Sequence, residues 1–295
     1  MPIWLFATVN EPLRLEFFSG YRSDRPHWHL QEPGSGGALT YSERARDVQF
    51  WENGLCLKAI HRDVVFNLRG SYAAFGRGRV FERYADLIFT SDQPHFQFSS
   101  RGFAADTSGY LGFAVNLTAD RTYKVLFIPL LGFSAHFEQL RRQNGTPAEY
   151  EGGGFTMNSR LPQKLYQTWY GLFLGSGFQI EPGGRLVLQA GYSYHWLQCK
   201  FKANVENNVF IFNRGLINTK TKISVSNGGN MGHTGWAELD YLCTRLWRIG
   251  LGAQIHYFST RALNAALDQN GENSHEKFKL RWTSISGYLQ TSREF

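Results

Sequence analysis

Apolar residues recur at every second position in one segment after another, the period of a strand with one face in an apolar environment. In Arg185–Leu197, Leu186, Leu188, Ala190, Tyr192, Tyr194 and Trp196 share a face, and Gln189, Gly191, Ser193 and His195 share the other. Trp247–Phe258 sets Trp247, Ile249, Leu251, Ile255 and Tyr257 against Arg248, Gly250, Gly252, Gln254 and His256. The same alternation marks Val64–Phe75, Gly109–Leu117, Leu165–Ile180 and Thr234–Cys243. It runs less regularly through Leu13–Ser23, Val48–Ile60, Tyr123–Phe137 and Phe278–Phe295. About ten strands follow. Pro129 has no N–H to give a ladder, which predicts a bulge or local distortion within the fifth.

The connections carry independent information. After the second, fourth, sixth and eighth strands come only residues 61–63, 118–122, 181–184 and 244–246. The others, 25–47, 76–108, 138–164, 198–233 and 259–277, are long. A membrane barrel produces this alternation, with turns on one side of the bilayer and loops on the other. Apolar stripes that end in aromatics, as at Tyr192, Tyr194 and Trp196, suit an interfacial girdle. A sheet in lipid must also close on itself, because every backbone N–H and C=O there needs a partner within the protein. The predicted fold is all-β, a transmembrane up-and-down antiparallel β-barrel of about ten strands. It has short periplasmic turns and long extracellular loops, and it sits in the outer membrane of a Gram-negative-type bacterium. Residues 13–295 form its single domain, and residues 1–12 read as an N-terminal tail or signal-peptide remnant. The rival, a soluble barrel with its apolar face inward, explains neither the alternating connections nor the aromatic stripe ends.

Composition sharpens the picture. Aromatics make up 16% of the 295 residues and Gly contributes 31, a mixture that favours strands and tight curvature. The mean hydropathy is -0.34, and no run approaches the roughly 18 apolar residues of a spanning helix. This excludes membrane helices but not a barrel, in which half of each strand faces a polar lumen. That lumen receives Arg14, Glu16, Arg22, Glu52, Lys58, Arg69, Glu238, Asp240, Arg248 and His256, which carry both signs and can pair. Inward glycines at 171, 175, 177, 250 and 252 leave room for long neighbours. An interior of this size, so filled, is nearly plugged; a narrow porin-like channel is the alternative.

The net charge of +7 also has an address. Segment 198–233 holds Lys200, Lys202, Arg214, Lys220 and Lys222 against Glu206, and segment 138–164 adds Arg141, Arg142 and Lys164. These are the candidates for binding an anion, either lipopolysaccharide phosphates or an acidic host glycan. Outer-membrane lipids and the barrel assembly machinery are the other expected partners, the latter from the terminal aromatic Phe295; no nucleic acid is expected. Cys56, Cys199 and Cys243 lack metal-ligand spacing and read as independent thiols; neither metal nor cofactor is expected.

Two stretches, AIHRDVVFNLRGSYAAFGRG from Ala59 and YQTWYGLFLGSGFQIEPGGRLVLQAGYSYHW from Tyr166, resemble the omptin family of ten-stranded outer-membrane proteases. The likeness extends along the chain in strand and loop order. It implies a catalytic Asp-x-Asp pair in the second long loop and an Asp-x-His pair at the fourth. Here the second loop offers Glu82, Asp86, Asp92 and Asp106 with no Asp-x-Asp, and at the fourth Glu206 is followed by Asn207 and Asn208. His195 reads as a hydrogen-bonding group of the lumen, and Phe133–Phe137 does not match the family's lipopolysaccharide pattern. The resemblance therefore implies an omptin-like, non-proteolytic barrel, a surface structural or adhesive protein similar to outer-membrane proteins of chlamydia-like bacteria. The alternative is an endopeptidase with rearranged acids, for which Glu82 and Asp86 are the candidates.

Overall fold

The computed structural model describes residues 13–31, 39–86, 95–118, 123–146, 155–157, 164–211, 215–260, 263–269 and 272–295. Its strands are β1 (Arg14–Gln31), β2 (Leu39–His61), β3 (Val64–Asp86), β4 (His95–Phe113), β5 (Val115–Asn116), β6 (Lys124–Thr146), β7 (Phe155–Met157), β8 (Lys164–Glu181), β9 (Leu186–Ile211), β10 (Gly215–Leu242), β11 (Trp247–Ser259), β12 (Leu263–Gln269) and β13 (Glu272–Glu294). Ten long strands pair antiparallel in the ring β1-β2-β3-β4-β6-β8-β9-β10-β11-β13, and β13 returns to β1 with Arg14 opposite Glu294. The three short strands extend this ring. β5 prolongs β4, β12 follows β11 and bridges β10 to β13, and β7 adds to the far end of β9. The barrel is closed, so no strand edge in the lipid belt is left unpaired.

Pro129 distorts one side only. Its register with β8 is unbroken, Pro129 lying opposite Ser176, whereas the β4 ladder stops at Leu130 and resumes through β5 at Phe127. Ala114, left off that ladder, donates instead to the Asp63 carbonyl at 2.7 Å. At the turns, Gly183 and Gly184 have φ of 93° and 76°, which few side chains tolerate.

The segments between the lipid-facing stripes are strand for most of their length, where the sequence pattern predicts loop. β10 alone has 28 residues, and a strand needs only about 9–11 to cross a membrane. The upper barrel, the end away from the short turns, therefore stands clear of the bilayer. The reason the pattern breaks is an inversion of polarity along the axis. In β1, Leu15, Phe17 and Tyr21 are exposed on the outer wall, and farther up Trp28 is buried inside. In β9 the exposed set Leu186, Leu188, Tyr192 and Trp196 gives way to a buried set, Leu197, Cys199, Phe201 and Ala203. β13 does the same between Leu289 or Ile285 outside and Trp282, Leu280 and Phe278 inside. Below the switch the wall faces lipid; above it the wall faces water and the barrel has an apolar core of its own.

Candidate functional site

Three layers fill the lumen. At the turn end lies a paired-charge network built from inward positions of five strands. Arg14 meets Glu16 at 3.1 Å and Asp240 at 3.6 Å, and Lys58 meets Glu16 at 3.3 Å and Glu238 at 2.8 Å. Arg69 reaches Glu238 at 3.6 Å and donates to the Tyr288 hydroxyl at 3.1 Å. Its guanidinium centre lies 3.8 Å above the Phe18 ring. Gln290 donates to Asp240 at 2.6 Å, and Arg248 pairs with Glu294. Buried ions persist where opposite charges and hydrogen bonds compensate their lost hydration. The three acids Glu16, Glu238 and Asp240 balance the three cations Arg14, Lys58 and Arg69.

The middle layer is polar and partly hollow. A space of about 820 Å³, some of it open to solvent, is lined by Glu52, Asp106, His136, His195, His256 and Trp236 among others. Arg22 chelates Asp24, with Nε and Nη2 each donating at 2.8 Å, and also pairs with Asp106. Asp106 in turn holds His136 Nδ1 at 2.8 Å. His195 sits between the Ser134 and Ser193 hydroxyls at 3.0 and 2.8 Å, and His256 Nδ1 meets the Thr234 hydroxyl at 2.9 Å. Glu52 accepts from Ser71 at 2.6 Å. The third layer is the apolar core of the upper barrel. Trp169, Phe201, Phe258, Phe278 and Trp282, each at most 1% exposed, close the lumen from above.

The inward glycines act in two ways. A Cβ at Gly252 would fall on the Tyr288 ring, and one at Gly191 on the Trp236 ring, so both make room for bulky lumen neighbours. Gly171 and Gly175 instead lie against the β9 backbone at Trp196 and Tyr192, where the two strands approach closely.

All the lumen residues expected from alternation face inward, and the two networks gather them. Sequence reasoning missed Asp24 and Glu138, and it read Asp106 as a loop acid. Asp24 follows Arg22 by two residues on one face of β1, a same-side spacing that could have revealed the pair. Among the proteolytic candidates, Glu82 lies on β3 opposite Glu43 and Phe96, Asp86 on β3 opposite Leu39, and Glu206 on β9 opposite Lys220. These are strand positions, not loop positions. Asp92 lies outside the described residues. The Asp106–His136 pair is inside the lumen beneath the aromatic layer, so no described Asp–His pair sits at the mouth.

The basic candidates also change character. Arg141, Lys164, Lys200, Lys202 and Lys222 are exposed on strands of the upper wall, with Lys200 Nζ 5.4 Å from the Tyr170 ring centre. Arg142 is on β6 opposite Ser100 and Lys220 on β10; Arg214 lies outside the described residues. The wall is more basic than the loops alone suggested. Arg44, Arg77, Arg79, Arg101 and Arg281 are exposed there too. Burial first, then the nearby charges, Arg44 foremost for His27 and Lys279 for His29, hold both imidazoles below their ordinary value.

The profile of the Protochlamydia outer membrane protein family matches residues 16–295, nearly the whole chain. The chain belongs to that family. Its place is the outer membrane. The outer membrane protease OmpT of Escherichia coli superposes with a TM-score of 0.74 at 10% identity, covering 98% of both chains, so the two share a fold. The autotransporter NalP translocator domain of Neisseria meningitidis, at 10% identity and TM-score 0.34, covers 98% of this chain and 91% of its own. A deletion mutant of the TodX hydrocarbon channel reaches 0.37 at 10% identity, covering 97% of this chain and 91% of its own. No curated protein sequence matches the chain.

Proposed function

We propose that this member of the family is a non-proteolytic, non-conducting surface barrel whose projecting wall adheres to anionic glycans. One observation carries the reading: above the lipid belt the apolar side chains turn inward and cations occupy the outside. That arrangement holds a rigid basic column above the membrane, and such a field attracts polyanions. The sealed lumen supports a structural rather than a transport role, and the sequence lacks the acid pairs that the omptin resemblance requires. Refolded full-length protein is expected to bind a heparin column and to elute with moderate salt, as counter-ion-driven binding does. Free passage through the column at low salt would refute the adhesive role. Cleavage of a peptide panel that is lost in both Glu82→Ala and Asp86→Ala would replace it with the protease reading.

A further inference from the structure

One row of the outer wall places like charges where sheet energetics disfavour them. Arg77 lies directly opposite Arg101, Arg101 opposite Arg141, and Arg141 opposite Lys164, on the adjacent strands β3, β4, β6 and β8. All four side chains are exposed. Neighbouring strands lie about 4.8 Å apart, so four cations fall within about 15 Å. Like charges directly opposite one another destabilise an antiparallel pair. The row continues into neutral residues at both ends, Gln49 opposite Arg77 and Asn204 opposite Lys164, so its register neighbours bring no carboxylate.

Its height on the barrel is specific as well. Phe103 is two residues below Arg101 on the same face of β4, and its ring packs against Tyr72 at 5.7 Å and Phe137 at 5.6 Å. Such aromatic clusters mark the level of the membrane interface. The cationic row therefore stands one side-chain step, about 7 Å along the strand, above the top of the lipid belt. Phosphates of outer-leaflet headgroups occupy that level, whereas a soluble glycan has no reason to favour it over the higher wall.

We infer that the Arg77–Arg101–Arg141–Lys164 row is a binding site for a lipid headgroup of the outer leaflet that bears more than one phosphate. The proposal rests on the reading of the upper wall as anion-binding, and it narrows that reading to one row and one source. Each guanidinium can present two N–H groups to a phosphate in a fixed fork, and adjacent cations can share one multiply charged headgroup. The bound anion would turn the repulsion within the row into attraction and fasten four adjacent strands at the lipid boundary.

The test uses the full chain refolded in three kinds of vesicle: phosphatidylcholine alone, phosphatidylcholine with bis-phosphorylated lipid A, and phosphatidylcholine with phosphatidylglycerol at equal negative charge. The readout is the temperature at which the folded, SDS-resistant gel band is lost. Wild type should melt highest with lipid A, and R101Q/R141Q should lose that increment. In phosphatidylcholine alone the double variant should melt at or above wild type, because repulsion is relieved; a purely structural role for the arginines would lower it. An equal rise with phosphatidylglycerol, or an undiminished lipid A response in the variant, would overturn the proposal. So would a rise produced only by soluble heparin fragments. Heparin-column retention of R101Q/R141Q separates the two readings: retention without a lipid A response removes the headgroup site and leaves the adhesive wall standing.

Discussion

Glu238 holds two cations at once, Lys58 at 2.8 Å and Arg69 at 3.6 Å, and accepts from the Tyr288 hydroxyl at 3.1 Å. Removing its charge leaves both cations buried with less compensation. Breaking a buried pair from one side costs about 3–5 kcal/mol, so Glu238→Gln should lower the urea midpoint of the refolded barrel by a comparable amount. A glutamine that left the midpoint unchanged would mean that water, not Glu238, compensates these charges. Glycine positions divide in the same concrete way. Gly191→Ala drives a methyl into the Trp236 ring, whereas the nearest atom to a Cβ at Gly70, the Asp106 carbonyl oxygen, is 3.9 Å away. Gly191→Ala should therefore destabilise and Gly70→Ala should not. Adding Trp236→Leu should restore much of the loss at 191, a coupling that a double-mutant cycle measures.

Each strand does two jobs in succession, and this is why part of the fold was legible and part was not. The lower halves alternate cleanly because one face meets lipid and the other a polar lumen, so Leu186 to Trp196 or Trp247 to Tyr257 announce themselves. At the switch the apolar residues change face, and the period of two loses its phase. Leu197 follows Trp196 directly, and in β10 a bulge at Gly229, with φ 77°, shifts the register between Asn227 and Asn230. Strand count, order and the lower network could be read from side-chain alternation. Strand length could not, because a wall with cations outside and aromatics inside resembles a charged loop when only lipid-facing stripes are sought. Asp24, Asp106, His136 and Glu138 went unassembled for a related reason, since their partners come from strands distant in sequence. The two seals predict an electrical outcome. In planar bilayers the wild-type barrel should carry no steady current, and Trp282→Ala should remain silent because the Arg14–Glu16–Lys58–Glu238 network still closes the other end. An ohmic current from wild type would show that the lumen conducts past both.

At the scale of the whole molecule, a chain of +7 net charge keeps its acids largely inside and its cations outside. Glu16, Asp24, Glu52, Glu138, Glu238 and Asp240 are all buried, so the surface a polyanion meets is more basic than the net charge implies. His27 and His29 add a pH dependence whose sign follows from their surroundings. Burial together with Arg44, Arg281 and Lys279 holds both imidazoles below the ordinary value, so both are neutral at pH 7 and gain charge only on acidification. Each proton then adds to a wall already cationic, and a bound polyanion favours the protonated form. Retention on heparin should accordingly stay nearly flat as pH falls through the usual imidazole range. It should rise toward about pH 5, where His charging on a surface can still be followed. His27→Gln/His29→Gln should remove that late rise while leaving retention at neutral pH intact, since the arginines and lysines carry it. If the double variant keeps the rise, the extra charge comes from neutralised carboxylates rather than from these histidines. If retention instead climbs at the ordinary imidazole value, the cationic neighbours of His27 and His29 do not shape the field that the glycan meets.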